Sequence, residues 1–296
     1  MSADRRCFTC ALGCCWGGSS QGTGEELTAF GRRAEALGYD SMWLPEIVGR
    51  EAMASAGWLL ASTSTLRVGT AIASVYARTG STAAMASHTL AELSGGRFVL
   101  SLGVSVRWLV EQLGQTWEKP LSKAADYLDD YEAMDVQVPP PPRPAPVYFA
   151  AHGPRIIDTV KDRVDGIMTI NVPPAHTADV RAQLRDDQDL IVLKNIVAET
   201  DPDKARAQAR ERVAVYLLAR QYWTLWPKYG FDDSDNVDGG TDRLIDMLVA
   251  WGDADKIQGQ VNEYFDAGAT DVVLMPASAA DADEEGIIDQ LAPARS

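Results

Sequence analysis

The 296-residue chain has no stretch of about 18 consecutive apolar residues, the length a membrane-spanning helix requires. Its first residues lack the apolar core and small-residue cleavage site of a secretory signal, so a cytoplasmic location is expected. Basic residues are in short supply, 27 against 42 acidic ones. The net charge of −15 disfavours nucleic acid and anionic membrane surfaces as partners. Histidine occurs only at His88, His152 and His176. Cysteine occurs only at Cys7, Cys10, Cys14 and Cys15. No second Cys or His cluster completes a ligand set for zinc or an iron–sulfur cluster, so no metal is expected. A disulfide is disfavoured in a reducing compartment. The run Cys7-Phe8-Thr9-Cys10-Ala11-Leu12 reads instead as a first strand, with Cys7 and Cys10 buried on it as small hydrophobes.

What is present is a repeating alternation. Hydrophobic residues make up 46% of the chain and charged residues 23%, enough for a sizeable core and too few charges for wholesale disorder. Short apolar runs at 7–12, 39–44, 66–73, 97–102, 146–151, 164–170, 189–198 and 271–275 predict eight strands. They are continuous rather than alternating, as strands buried on both faces should be. Helical stretches lie between them. Thr23 and Glu26 have capping-box spacing, Leu27, Phe30, Ala34 and Leu37 recur at helical intervals, and Gly38 stands where a C-terminal cap is wanted. Further helices are expected from near Glu51, Ser81, Ser122, Pro154, Pro202 and Asp253. The segment from Ala279 reads as an acidic tail or a final helix. Eight such β/α units in one domain spanning 1–296 mean an α/β barrel or a doubly wound sheet. The length suits a barrel, which typically takes ~250 residues. Between Pro139 and Pro146 six of eight residues are proline, a stiff extended connector into the fifth strand.

Five motifs stand out in order along the chain. They are Leu37-Gly38-Tyr39-Asp40-Ser41-Met42-Trp43-Leu44-Pro45-Glu46 with Gly49-Arg50, then Thr65-Leu66-Arg67-Val68-Gly69-Thr70-Ala71-Ile72 with Tyr76-Ala77-Arg78. Leu93-Ser94-Gly95-Gly96-Arg97-Phe98 runs on to Leu102-Gly103-Val104-Ser105. Pro146-Val147-Tyr148-Phe149-Ala150-Ala151-His152-Gly153-Pro154-Arg155 and Ala267-Gly268-Ala269-Thr270-Asp271-Val272-Val273-Leu274 complete the set. Together they resemble the luciferase-like monooxygenase superfamily, and most closely its actinobacterial branch that uses the deazaflavin coenzyme F420. The resemblance implies a single (β/α)8 TIM barrel with a flavin or deazaflavin ring at the C-terminal mouth of the strands, where barrel chemistry sits.

Site residues follow from that resemblance. Glu46 is placed beside the ring as a catalytic carboxylate; the competing reading is a loop acid or a helix cap. Many relatives carry histidine next, where this chain has Ile47, so no mechanism using that histidine transfers. Ala71 and Ile72 match a non-prolyl cis peptide that backs the ring in deazaflavin relatives. Arg78 faces the anionic cofactor tail or is merely solvated. Gly103, Val104 and Ser105 form a small-residue turn that admits the cofactor, although Val106 replaces a further glycine. Trp108 stacks at the mouth or packs in a helix. Ala151, Gly153 and Pro154 contact the cofactor tail at a helix start, which favours anions. His152, at the catalytic end of a strand, is the proton-transfer candidate. His88, in a helix, and His176, on a loop, read as structural. Tyr222, Trp223, Trp226, Tyr229 and Phe231 cap the mouth, pack a helix or line a dimer contact.

The implied function is hydride transfer between coenzyme F420 and a small organic substrate, the cofactor supplying the chemistry. Two alternatives stand beside it. One is an FMN-dependent monooxygenase on the same fold. The other is a non-catalytic barrel without cofactor, suggested by Ile47, Val106 and a shortened segment before the proline run. The family commonly forms dimers, so a homodimer is expected.

Overall fold

Strands covered by helices on their outer face and by each other within read as unbroken apolar runs. Eight such runs close into one ring in the computed structural model, which describes residues 11–15, 22–276 and 284–293. The strands are β1 (Ala11–Cys15), β2 (Ser41–Leu44), β3 (Arg67–Thr70), the two-residue β4 (Ala73–Ser74), β5 (Phe98–Gly103), β6 (Val147–Ala150), β7 (Gly166–Ile170), β8 (Asp189–Val197), β9 (Val249–Trp251) and β10 (Asp271–Pro276). All pairings are parallel. The order around the ring is β1, β2, β3 with β4, β5, β6, β7, β8 and β10. It closes because β10 pairs with β8 through Asp271↔Ile191 and with β1 through Ala11↔Asp271. The short β9 adds to the end of β8 at Asn195↔Val249.

The helices are α1 (Gly24–Leu37), α2 (Ala52–Ser62), α3 (Gly80–Leu93), α4 (Arg107–Gln112), α5 (Pro120–Glu132), α6 (Pro154–Val160), α7 (Pro174–Arg181), α8 (Pro202–Leu217), α9 (Arg220–Leu225), α10 (Asp242–Leu248), α11 (Ala254–Asp266) and α12 (Glu284–Gln290). The Thr23–Glu26 capping box starts α1, and Gly38 ends it in the left-handed region at φ 90°. Glu51 and Asp253 cap α2 and α11 with their side chains.

Side chains alternate between two apolar layers. Leu100, Phe149, Ile167 and Val272 point outward into the helix layer. Trp43, Val99, Tyr148, Met168, Ile191 and Val273 fill the barrel. Trp43 fits because β1 and β3 carry Gly13 and Gly69 beside it; a Cβ at Gly69 would overlap the indole ring. A third cluster, built from Val213, Leu217, Tyr222, Trp226, Leu244, Ile245, Leu248 and Trp251, lies over one side of the mouth.

Several expectations need correction. The described first strand runs to Cys15 rather than ending at residue 12, and the cysteines buried on it are Cys14 and Cys15. Cys7 and Cys10 lie outside the described residues. The run 66–73 is not one strand: it breaks after Thr70 and resumes at Ala73, with a cis peptide at Ala71–Ile72 between. His176 is on α7, not a loop. Of the two readings of the last segment, the final helix is the one present, as α12. Among the described residues no helix is long and apolar enough to cross a membrane.

Candidate active site

Because the strands are parallel, their C-terminal ends share one rim. Glu46, Ala71, Gly103 and His152 each end or follow a strand there. Glu46 leaves β2 and turns inward, only 8% exposed. Its carboxylate accepts the Ser74 amide at 2.8 Å, the Ala52 amide at 3.3 Å and Arg78 Nη1 at 3.0 Å. Arg78 Nη2 donates to both Glu46 and Glu51. Arg78 is therefore not merely solvated. It is a largely buried clamp joining β4 to the start of α2, and the two carboxylates hold its pKa up against the opposing effect of burial.

The next stretch of rim is built from small residues. Gly103 ends β5 with no room for a side chain: a Cβ would lie 2.9 Å from Ile72 and 3.2 Å from Ala150. Val104 and Ser105 follow, half-exposed. Ser105 takes φ 61°, a left-handed conformation uncommon outside glycine. Trp108 is 51% exposed on α4, so it does not pack into a core. Beyond β6, Ala151 is buried, and Gly153 faces open space where a Cβ would point. Pro154 opens α6, so the first helical position has no N–H to offer.

His152 is tied at two points. Its Nε2 accepts the Ile170 amide at 3.0 Å, which fixes the ring proton on Nδ1. Its carbonyl accepts Nε2–H of His176 at 2.8 Å. Burial, with His176 nearby, pulls the pKa of His152 down to about 3, so the ring is neutral at ordinary pH. Tyr222 packs against it edge-on, ring centres 5.4 Å apart. The aromatic cluster thus caps the mouth. Tyr222 stacks on Trp226, whose Nε1 donates to the Asn171 carbonyl at 2.9 Å.

Sequence reasoning overlooked the polar residues farther around this rim. Asn171 follows β7 with φ 57° and accepts Asn195 Nδ2 at 3.0 Å. Asn195 is fully buried on β8 and accepts Arg212 Nε at 3.1 Å. The signal was present: Lys194-Asn195 interrupts an otherwise apolar strand, and a buried polar pair needs partners. Lys194 finds them on the outer face, at the Met247 carbonyl and the Tyr264 hydroxyl.

The family model for luciferase-like monooxygenases matches residues 6–271. A 5,10-methylenetetrahydromethanopterin reductase of Archaeoglobus fulgidus is 26% identical over 297 aligned positions, covering 84% of this chain and 88% of the relative. An F420-dependent secondary alcohol dehydrogenase solved with an F420–acetone adduct superposes with a TM-score of 0.77. It is 17% identical, over 95% of this chain and 97% of that one. The oxygenating constituent of 3,6-diketocamphane monooxygenase from Pseudomonas putida, solved with FMN, superposes at 0.66. It is 13% identical, over 96% of this chain and 98% of that one.

Proposed function

The chain belongs to the luciferase-like monooxygenase family of oxidoreductases, and from that premise we propose that it transfers a hydride between coenzyme F420 and a small organic substrate at the barrel mouth. The observation that carries this reading is the uncharged small-residue rim of Gly103, Ala150, Ala151 and Gly153, set beside a neutral His152. Such a rim suits a flat tricyclic ring. Gly103 lets the Ile72 and Ala150 side chains close together beneath the rim, and Gly153 leaves backbone open to a ligand approaching from the mouth. Ala71, Ile72, Gly103, Val104 and Ser105 would lie along the ring. Ala151, Gly153 and Pro154 would lie along the tail.

When bound, the deazaflavin supplies the hydride chemistry. The chain's own residues orient and enclose. Glu46 works as a positioning carboxylate: its oxygens are already engaged by two amides and Arg78, and through Ser74 it fixes the strand segment after Ala71–Ile72. His152 offers Nδ1–H as a hydrogen-bond donor. With Nε2 engaged by Ile170 and its pKa near 3, it is no base at neutral pH. Tyr222 and Trp226 close one side and keep water from the reacting centre.

The experiment is a pair of fluorescence titrations, F420 and FMN, on the wild type and on Gly153→Val. F420 is expected to bind more tightly than FMN, and the β-branched side chain to weaken F420 by about tenfold, a cost of roughly 1.4 kcal/mol. Equal affinity for FMN, or binding of neither, would discard the deazaflavin reading. An unaffected Gly153→Val variant would remove this loop from the site.

A further inference from the structure

Arg212 is an arginine at the mouth without a carboxylate partner among the described residues. It lies half-buried on α8. The same helix shows what the alternative looks like: Arg206 pairs with Asp246 at 2.7 Å and Arg210 with Asp242 at 2.5 Å. Farther off, Arg78, Arg163 and Arg243 are paired with carboxylates too. Among the described residues Arg50, Arg97 and Arg181 also lack a carboxylate, but each spends two or more donors on backbone carbonyls, whereas Arg212 spends one, on Asn195.

Its setting is constructed. Arg212 Nε donates to Asn195 Oδ1, Asn195 Nδ2 donates to Asn171 Oδ1, and Trp226 Nε1 donates to the Asn171 carbonyl. Asn195 points into the barrel, two residues beyond the inward-facing Leu193. The guanidinium is thus anchored at one nitrogen by a neutral acceptor, at the level of the last inward layer. Among the described residues its two terminal nitrogens have no hydrogen-bond partner. β8, which carries the anchor, lies four strands from β3 in either direction around the ring, so Arg212 approaches from the side opposite Ala71 and Ile72. Tyr216 and Tyr222, edge to face at 6.2 Å, belong to the same cap.

We infer that Arg212 receives a carboxylate of the substrate, held by the guanidinium fork while the apolar body of the molecule lies under the tyrosines. The inference rests on the mouth being the reaction chamber, and it narrows the substrate class to small organic anions. The cofactor tail is not the intended partner, because its proposed cradle at Ala151–Pro154 belongs to β6 and α6.

Benzoate and its neutral isostere benzamide are the probes, titrated calorimetrically into cofactor-free wild type, Arg212→Gln and Arg212→Lys. Wild type should bind benzoate better than benzamide. Arg212→Gln should weaken benzoate by about tenfold or more and leave benzamide unchanged. Arg212→Lys, which keeps the charge but loses the fork, should fall between and guards against a folding defect in the glutamine variant. F420 affinity, measured separately, should change by less than about twofold in either variant, well under 1 kcal/mol. Benzoate binding that is absent in wild type, equal to benzamide, or indifferent to Arg212→Gln overturns the inference. So does an F420 affinity that falls with Arg212, since the arginine would then serve the tail. Benzoate binding is read without cofactor, so a failure of the F420 titration and a failure of this assignment remain distinct results.

Discussion

Glu46 shows how a residue can be legible by position and obscure by role. Its place at the end of β2 followed from the apolar run before it. Its partner did not, because Arg78 is 32 residues away and only the fold brings the two side chains together. Both are nearly out of solvent, at 10% and 6% side-chain exposure, so the pair behaves as a buried one. Removing one member of a buried pair leaves the other charge uncompensated, which typically costs about 3–5 kcal/mol. Glu51 still contacts Arg78, so Glu46→Gln is expected to cost about 3 kcal/mol, the lower end of that range. Urea unfolding of the variant measures it. A loss below about 0.5 kcal/mol, the usual effect of a surface change, would mean that the clamp is not structural. His152 carries a similar lesson. Its site was visible in the sequence, while its neutral state depends on burial, reinforced by His176 from α7, and its tautomer on the Ile170 amide from β7.

At the scale of elements, the strands were the legible part. Apolar runs marked every stave of the barrel because burial on both faces leaves little room for polar residues. The misses have physical causes. The three residues of β9 and the six of α4 and α9 are too short for any periodicity to register. α7 opens on Pro173-Pro174, which reads as a loop although proline is well tolerated in a first helical turn. The exception inside a strand is informative. Asp271 opens β10 at the N-terminal end of the barrel, 3% exposed. Burial pushes its pKa up to about 7; Arg67 pulls it back, while Asp40 and Asp189 add to the rise. The folded pKa is thus above the unfolded value of about 3.9. Any stability tied to this group is fully present below pH ~4 and is lost as pH rises through about 7. Asp271→Asn should therefore match wild type near pH 4 and gain on it with rising pH, by up to about 1.4 kcal/mol per pH unit. Unfolding free energies at several pH values test this. A gap between variant and wild type that stays constant across pH would refute it.

The whole molecule is a barrel plus a cap with separate apolar interiors. The barrel layers are continuous around the ring, whereas α8, α9, α10 and β9 pack on a cluster of their own. Polar and aromatic contacts tie that cap to the mouth: Trp226 to Asn171, Tyr222 to His152, Arg212 to Asn195. A unit with its own small core and a polar seam opens more readily than the barrel it covers. Amide hydrogen exchange should find α8–α10 less protected than β5 and β8. Added F420 should slow exchange in α8–α10 more than in α1–α3, because a ligand filling the mouth buttresses the seam from below. Equal protection of cap and barrel without ligand would show one cooperative unit. Ligand-induced protection spread evenly over the chain would separate the cap from the site. The cap arises from the segment between β8 and β10, where the sequence shows a long helical stretch and an aromatic cluster but no strand-like run of ordinary length. That is why its presence could be read in advance while its docking could not: the seam is made by single side chains reaching Asn171, His152 and Asn195, and no local pattern records such contacts.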